Sequence, residues 1–163
     1  MIHLRKIEPS DLPYLYQWEN DASAWPDASV HNPLSRQDLR DYIASTTGDI
    51  YADHQLRLII EEDGATMGCI DLFDLDIRNR KAAIGMYVAP EFRGKGVGWQ
   101  ALQLLEEYAF VQLSLRMIYA VIATNNTPCA SLYRRAGYAA SSPLMAWTLE
   151  SPANIWIKCA PES

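Results

Sequence analysis

Val88-Ala-Pro-Glu-Phe-Arg93-Gly94-Lys95-Gly96-Val97-Gly98 is the segment on which the reading of this chain turns. It follows a strand-like run, Ala82 to Val88, and precedes a helical face marked by Val97, Ala101, Leu104, Leu105 and Tyr108. Pro90 ends the strand because it has no N–H to give a ladder. A helix start exposes unpaired N–H groups and partial positive charge, so it attracts anions. Glycines let the backbone approach a ligand and take conformations that a Cβ forbids. Arg93 and Lys95 add charge at the rim. The G-x-G-x-G spacing is neither a Walker A loop nor a dinucleotide fingerprint. Taken alone, the segment is either a pyrophosphate cradle or a helix start whose glycines only pack against a strand.

On its N-terminal side, Ile2 to Ile7 alternates like a half-buried strand. Glu8-Pro9-Ser10-Asp11 then leads into a helix through Leu12, Leu15, Tyr16 and Glu19. Asn20 to Pro33, with two prolines and small polar residues, reads as a loop. Ser35-Arg36-Gln37-Asp38 resembles a capping box opening a second helix, which Gly48 ends. Leu56, Leu58 and Ile60 start a strand that turns at Asp63-Gly64 and returns from Met67 to Leu75. On the C-terminal side, the long helix ends near Leu113, and Met117 to Ala123 is an apolar run suited to a strand covered on both faces. Thr127-Pro128 starts a short helix that Gly137 ends. Strands around Tyr138 to Leu149 and Asn154 to Cys159 flank a Ser151-Pro152 turn. The order β-α-α-β-β-β-α-β-α-β-β predicts one α/β (α+β) domain over residues 1–163. Its mixed central sheet has about six or seven strands, with helices on both faces.

The 163 residues are 49% hydrophobic and 21% charged, as in soluble globular proteins, with no repeat and no low-complexity stretch. No run of ~18 apolar residues could span a bilayer, and the charged N-terminus lacks the apolar core of a secretory signal. Cys69, Cys129 and Cys159 fall at no metal-like spacing, so we expect reduced thiols, a cytoplasmic location and no metal. The net charge of −6 argues against nucleic acid as the main partner and suits a cationic substrate as well as solubility.

Val88-x-Pro-Glu-x-Arg93-Gly94-x-Gly96-Val97-Gly98 resembles the acetyl-CoA motif of the GNAT superfamily of N-acetyltransferases. A second block, Asn126-Thr-Pro-Cys-Ala-Ser-Leu132-Tyr133-Arg-Arg-Ala-Gly137-Tyr138, is similar to that family's N-x-x-A-x-x-L-Y-x-x-x-G-[FY], with Cys129 at the small-residue position. The resemblance covers the whole chain in element order and is motif-specific from about Ala82 to Tyr138. Leu15-Tyr-Gln-Trp18-Glu19-Asn20-Asp21 and the strand and turn Gly68 to Arg80 look like the branch containing ribosomal-protein N-terminal and spermidine acetyltransferases.

The resemblance implies that Ala82–Val88 and Met117–Ala123 splay apart around the pantetheine of acetyl-CoA. Backbone groups of Met86, Tyr87 and Val88 would pair with it, and the Val88 N–H would face the thioester carbonyl. The turn Arg93, Gly94, Lys95, Gly96, Val97, Gly98 would hold the pyrophosphate. Tyr133 stands where the family often carries the acid that meets the departing thiolate, or it packs as a core aromatic. Asn126 bonds pantetheine or caps its helix. Arg135, with Arg134, could reach the adenosine phosphates.

The acceptor side is less determined. Some relatives carry a Glu on the strand before the glycine turn, yet Lys81-Ala82-Ala83-Ile84-Gly85 has no acid. The remaining carboxylates are Glu19, Asp71, Asp74 and Asp76. Alternation puts Asp74 and Asp76 on the Leu72 face and Asp71 on the other unless a bulge intervenes. Trp18, Tyr14, Tyr16 and Trp25 could line the acceptor pocket or pack in the core. The expected base is water-relayed, or the amine arrives neutral. Cys129 as a nucleophile would need a nearby base that the sequence does not reveal. We therefore expect direct acetyl transfer in a ternary complex to a primary amine, with a spermidine-like polyamine favoured. A protein N-terminus, an aminoglycoside or another amine is the alternative acceptor. Rival readings are a non-catalytic CoA-binding regulatory module and a nucleotide-binding protein. A homo-oligomer fits the branch.

Overall fold

Asp63 and Gly64 set the register of the first hairpin. Both take positive φ, 49° and 79°, as a two-residue connection matched to strand twist requires. Leu56–Glu62 (β2) therefore folds back on Ala65–Asp76 (β3), with Glu62 opposite Ala65. This computed structural model describes residues 1–21, 34–144 and 153–162.

The other strands are His3–Lys6 (β1), Lys81–Val88 (β4), Met117–Ala123 (β5), Ala139–Leu144 (β6) and Ala153–Cys159 (β7). They form one mixed sheet in the order β1-β2-β3-β4-β5-β7-β6, in which only β4 and β5 run parallel. Helices cover both faces, as expected. Leu12–Glu19 (α1) and Arg36–Ser45 (α2) bring Leu15, Trp18 and Leu39 against Ile59, Cys69 and Tyr87. On the opposite face, Val97–Glu107 (called α4 below) sets Ala101, Leu102 and Leu105 on Leu58, Ile60, Ile70, Leu72 and Ile84. The alternation along β2 is thus read by a different helix layer on each side. Each fully buried Leu or Ile contributes ~1.5–3 kcal/mol.

Three boundaries differ from the sequence reading. The second helix stops at Ser45, not Gly48, because Thr46 is already extended (ψ 131°). A one-turn helix, Ile50–Asp53 (α3), follows under an Asp49 cap whose side chain accepts the Tyr51 N–H at 2.9 Å. It has too few residues to show helical periodicity. In β3, the register shifts between Phe73 and Asp76, and Asp74 has φ 49°. This bulge turns both Leu72 and Leu75 into the core. Asp74 therefore leaves the Leu72 face and is exposed. Beyond Leu144, the expected Tyr138–Leu149 strand and the Ser151-Pro152 turn lie outside the described residues, as do Trp25 and most of the Asn20–Pro33 loop.

The remaining elements match closely. Ser35 and Asp38 form a reciprocal capping box at 3.0 and 2.8 Å. The helix α4 continues as a π-turn over Tyr108–Gln112. Thr127–Arg135 (α5) ends at Gly137, whose φ is 91°. Among the described residues no helix is long and apolar enough to cross a membrane, and no group of three or more His, Cys, Asp or Glu could hold a metal ion.

Candidate active site

The parallel pair β4/β5 comes apart partway along. Pairing runs through Lys81↔Met117, Ala82↔Ile118 and Ala83↔Tyr119 and then stops. The outer neighbours stay paired, β3 as far as Val88 and β7 as far as Ala123. Beyond Ala83 the strands therefore face each other across a wedge.

Which backbone groups open into the wedge follows from alternation. The Ala89 N–H donates to Met67 O at 2.8 Å. Tyr87 O presses so closely on Gly68 that a Cβ there would lie 2.1 Å from it. Odd-numbered residues thus turn their polar groups to β3, and Met86 and Val88 turn theirs to the gap. Backbone groups away from water need partners, and the Val88 carbonyl takes one from Arg93 Nε at 2.7 Å. Tyr87 departs from expectation because its backbone is committed to β3. Its hydroxyl donates to Asp21 Oδ2 at 2.6 Å, and its ring packs on Trp18, with centroids 5.8 Å apart.

The glycine turn sits at the wide end of the wedge. Gly94 and Gly96 have φ 73° and 79°. Among the described residues, and apart from the adjoining backbone, no atom lies within 4 Å of a Cβ placed on Gly94, and Gln100 Nε2 (3.8 Å) is the one that approaches a Cβ on Gly96. Their demand is conformational, and the space beside them is open. Gly96 caps α4 without a side chain, and no acid lies in the first turn. The first N–H groups, from Val97 and Gly98 onward, therefore meet no side-chain cap and no carboxylate that would offset their partial positive charge. By contrast, α2 and α5 carry side-chain caps. A Cβ on Gly98 would meet Met86 Cε at 3.3 Å and Leu132 Cδ2 at 3.4 Å, so this glycine brings α4, α5 and β4 together. Arg93 and Lys95, expected as phosphate partners, fold onto backbone here; Lys95 Nζ reaches Glu91 O at 3.0 Å.

Tyr133 is 2% exposed and stands edge-on to Tyr138, with centroids 4.9 Å apart. Burial, then Cys129 and Glu106, hold its phenol well above the ordinary value of 10.0. Asn126 caps α5, its Oδ1 accepting the Cys129 N–H at 3.3 Å. Burial pushes the Cys129 thiol up to about 11, so it is no thiolate near neutrality. Arg135 is exposed in the last turn of α5, the end of that helix remote from Asn126.

The acids collect on the other face. Asp71 lies opposite Gly85 of β4, and its Oδ2 would be 3.8 Å from a Cβ there. Arg57 of β2, absent from the sequence reading, clamps Asp71 with two bonds of 2.9 and 2.7 Å and also holds Glu19. Two carboxylates on one guanidinium leave the triad with a formal charge of −1. Burial pushes the Asp71 carboxyl up, Arg57 opposes it, and Glu19 adds to the rise. A cavity of about 650 Å³ beside the triad is lined by Tyr42, Asp53, His54, Asp71 and Asp74, among others. Trp18, expected to line an acceptor pocket, is 3% exposed and packs between Tyr14 and Tyr87. Asp76 binds the turn at Asn79, accepting bonds of 2.9 and 2.8 Å. The signal for Arg57 was its place in β2 beside Ile59, on the face that meets α1 and α2.

The model of the acetyltransferase (GNAT) domain family matches residues 2–139. A spermidine N(1)-acetyltransferase of Escherichia coli (strain K12) is 28% identical over 147 residues, covering 88% of this chain and 76% of its own. A putative ribosomal N-acetyltransferase, YdaF, of Bacillus subtilis (strain 168) is 32% identical over 142 residues, covering 84% and 77%. The spermidine N-acetyltransferase of Vibrio cholerae, crystallised with CoA and spermine, superposes with TM-score 0.86 at 21% identity, covering 97% and 95%. A dodecameric structure of a Vibrio cholerae spermidine N-acetyltransferase gives 0.83 at 22%, covering 97% and 93%. At these identities the solved structures speak to the fold.

Proposed function

The chain belongs to the acetyltransferase (GNAT) domain family, and from that premise we propose that it moves acetyl from acetyl-CoA to a primary amine of a polyamine. It is an acetyl-CoA-dependent N-acetyltransferase. The observation that carries the reading is the wedge between β4 and β5, which opens toward an uncapped helix N-terminus at Gly96. Acetyl-CoA, when bound, supplies an activated thioester. Gly94, Gly96 and the first N–H groups of α4 fit its pyrophosphate. Met86 and Val88 offer backbone groups to an extended arm, and the Val88 N–H can stabilise charge on a carbonyl oxygen. Tyr133, entering from α5, presents a phenol for the sulfur that leaves. With Cys129 a neutral thiol, transfer runs directly from thioester to amine.

The acceptor approaches from the α1/α2 face. There the Glu19–Arg57–Asp71 triad and the neighbouring Asp53 and Asp74 favour a polycation, and Asp71 stands opposite Gly85 of β4. Asp71 is the carboxylate best placed to take up a proton, directly or through water. A protein N-terminus is the second reading, favoured by the 32% identity to the putative ribosomal enzyme. Self-association, as in the dodecameric relative, is part of the proposal. The test is CoA release with spermidine, a peptide bearing a free N-terminus, and an aminoglycoside. Turnover with spermidine at least tenfold above the others is expected. Preference for the peptide would replace the acceptor, and acetyl-CoA binding without release to any amine would overturn the enzyme reading.

A further inference from the structure

Glu106 lies on the buried side of α4 and is 7% exposed. Its Oε2 accepts from Lys158 Nζ at 2.6 Å, and the same ammonium donates at 2.7 Å to Ala136 O, at the end of α5. Among the described residues its Oε1 is buried outside ordinary hydrogen-bond geometry, and so is the Tyr138 hydroxyl, yet the two are near enough for Glu106 to raise the Tyr138 phenol. One orphan accepts and the other can donate. Lys158 Nζ is also 5.6 Å from the Tyr138 ring centroid, and the Tyr138 ring abuts the Tyr133 ring at 81°. A contiguous set thus runs from β7 and α4 to the phenol proposed to face the leaving sulfur. An apolar side chain would fill the Glu106 position without the desolvation cost of a charge. Nothing in cofactor gripping uses it.

We propose that Glu106, anchored by Lys158, is a positioning residue for Tyr133 and acts through the Tyr138 ring. The inference rests on the reading of Tyr133 given above. Lys158 fixes the carboxylate, and the charge of the carboxylate biases the Tyr138 hydroxyl toward it. The Tyr138 edge in turn restricts the Tyr133 ring, because aromatic pairs favour this geometry. Among the described residues the charged and titratable groups around Tyr133 and Tyr138 are Cys129 on the Tyr133 helix, Glu106 from α4 and Lys158 from β7. Arg134 turns away onto the Trp156 ring, 5.3 Å from its centroid. Burial first, and Glu106 second for Tyr138, keep both phenols protonated. Tyr133 therefore serves as a fixed hydrogen-bond donor that does not ionise across the working pH range.

A double-mutant cycle tests this, with kcat and KM for acetyl-CoA measured from pH 6 to 10 on the full chain. Tyr133→Phe should lower kcat by ~10²-fold. Glu106→Gln keeps the shape and an acceptor for Lys158. It should lower kcat by roughly tenfold with KM for acetyl-CoA little changed and the shape of the pH profile retained, because burial and not Glu106 is the main cause that keeps Tyr133 protonated. In the Tyr133→Phe background the Glu106→Gln effect should vanish, because coupled residues are not additive. An equal loss in both backgrounds overturns the proposal and leaves the Tyr133 reading standing. An unchanged kcat in Tyr133→Phe overturns that reading and the proposal with it. Should Glu106→Gln fail to fold, Tyr138→Phe, which keeps the ring and removes only the orphan hydroxyl, is judged against Tyr133→Phe by the same criterion.

Discussion

Gly68 shows how much one residue can fix. No other side chain fits there, since its Cβ would stand 2.1 Å from the Tyr87 carbonyl and 3.0 Å from Val88 Cα. That contact holds the end of β4 against β3 and so aims the Met86 and Val88 backbone into the wedge. Gly68→Ala should cost ~1–3 kcal/mol of stability through overpacking. It should also raise the KM for acetyl-CoA, because β4 must shift where the arm docks. Urea titration beside steady-state kinetics checks both. The acid at the site is a similar lesson. A search along β4 finds none, whereas Asp71 reaches the same place from β3 through its register with Gly85. The strand bulge also removes Asp74 from the face that strict alternation assigns it.

At the scale of elements, charged clamps tie helix starts to the sheet. Arg5 of β1 forks onto Asp11 at 2.9 and 2.8 Å and also reaches Glu61 of β2 at 2.6 Å, tying the start of α1 to the sheet edge. Burial would raise the Asp11 carboxyl, but Arg5 and the Glu8 N–H together hold it below its ordinary 3.8. A depressed carboxyl lends stability that is complete above its unfolded value and is lost as pH falls through the folded one. Asp11→Asn should therefore lower Tm at pH 7 by about 2–8 °C, from ~1–2 kcal/mol in a chain of this size. The gap to the parent protein should close as pH drops below about 4. Thermal scans across pH 2–7 measure it, and a gap that persists at the acid end would refute the clamp. The β4/β5 divergence belongs to this scale too. It was expected from family resemblance alone, since nothing in either strand's composition marks where pairing ends.

Across the whole molecule, the sheet separates two chemistries. The groups proposed to face the cofactor (Met86, Val88, Gly94, Gly96, Tyr133) approach from the α4/α5 side, while Glu19, Arg57 and Asp71 stand on the α1/α2 side, and in the proposal the wedge joins them. Acetyl-CoA, binding the folded chain alone, should raise its stability by ~2.7 kcal/mol at 100 times Kd. Gly96→Val, strained at φ 79° and filling the open approach, should abolish that thermal shift. A shift of equal size in the variant would take the pyrophosphate away from this turn.

The sequence by itself determined the glycine turn, the helix that follows it, the N-cap at Ser35 and the order of the large elements, and it left Asn126 between a helix cap and a pantetheine contact. Each of these is encoded within a few neighbouring residues, by glycine conformations, caps and apolar period. It also carried the motif pair that points to acetyl-CoA. Only the tertiary structure decided which backbone groups of β4 face the wedge, that Arg57 ties Asp71 to Glu19, and that Glu106 meets Lys158 behind Tyr133. Those contacts join residues 14, 38 and 52 positions apart. Strand register, a bulge and helix packing set them, and no local pattern in the chain records these.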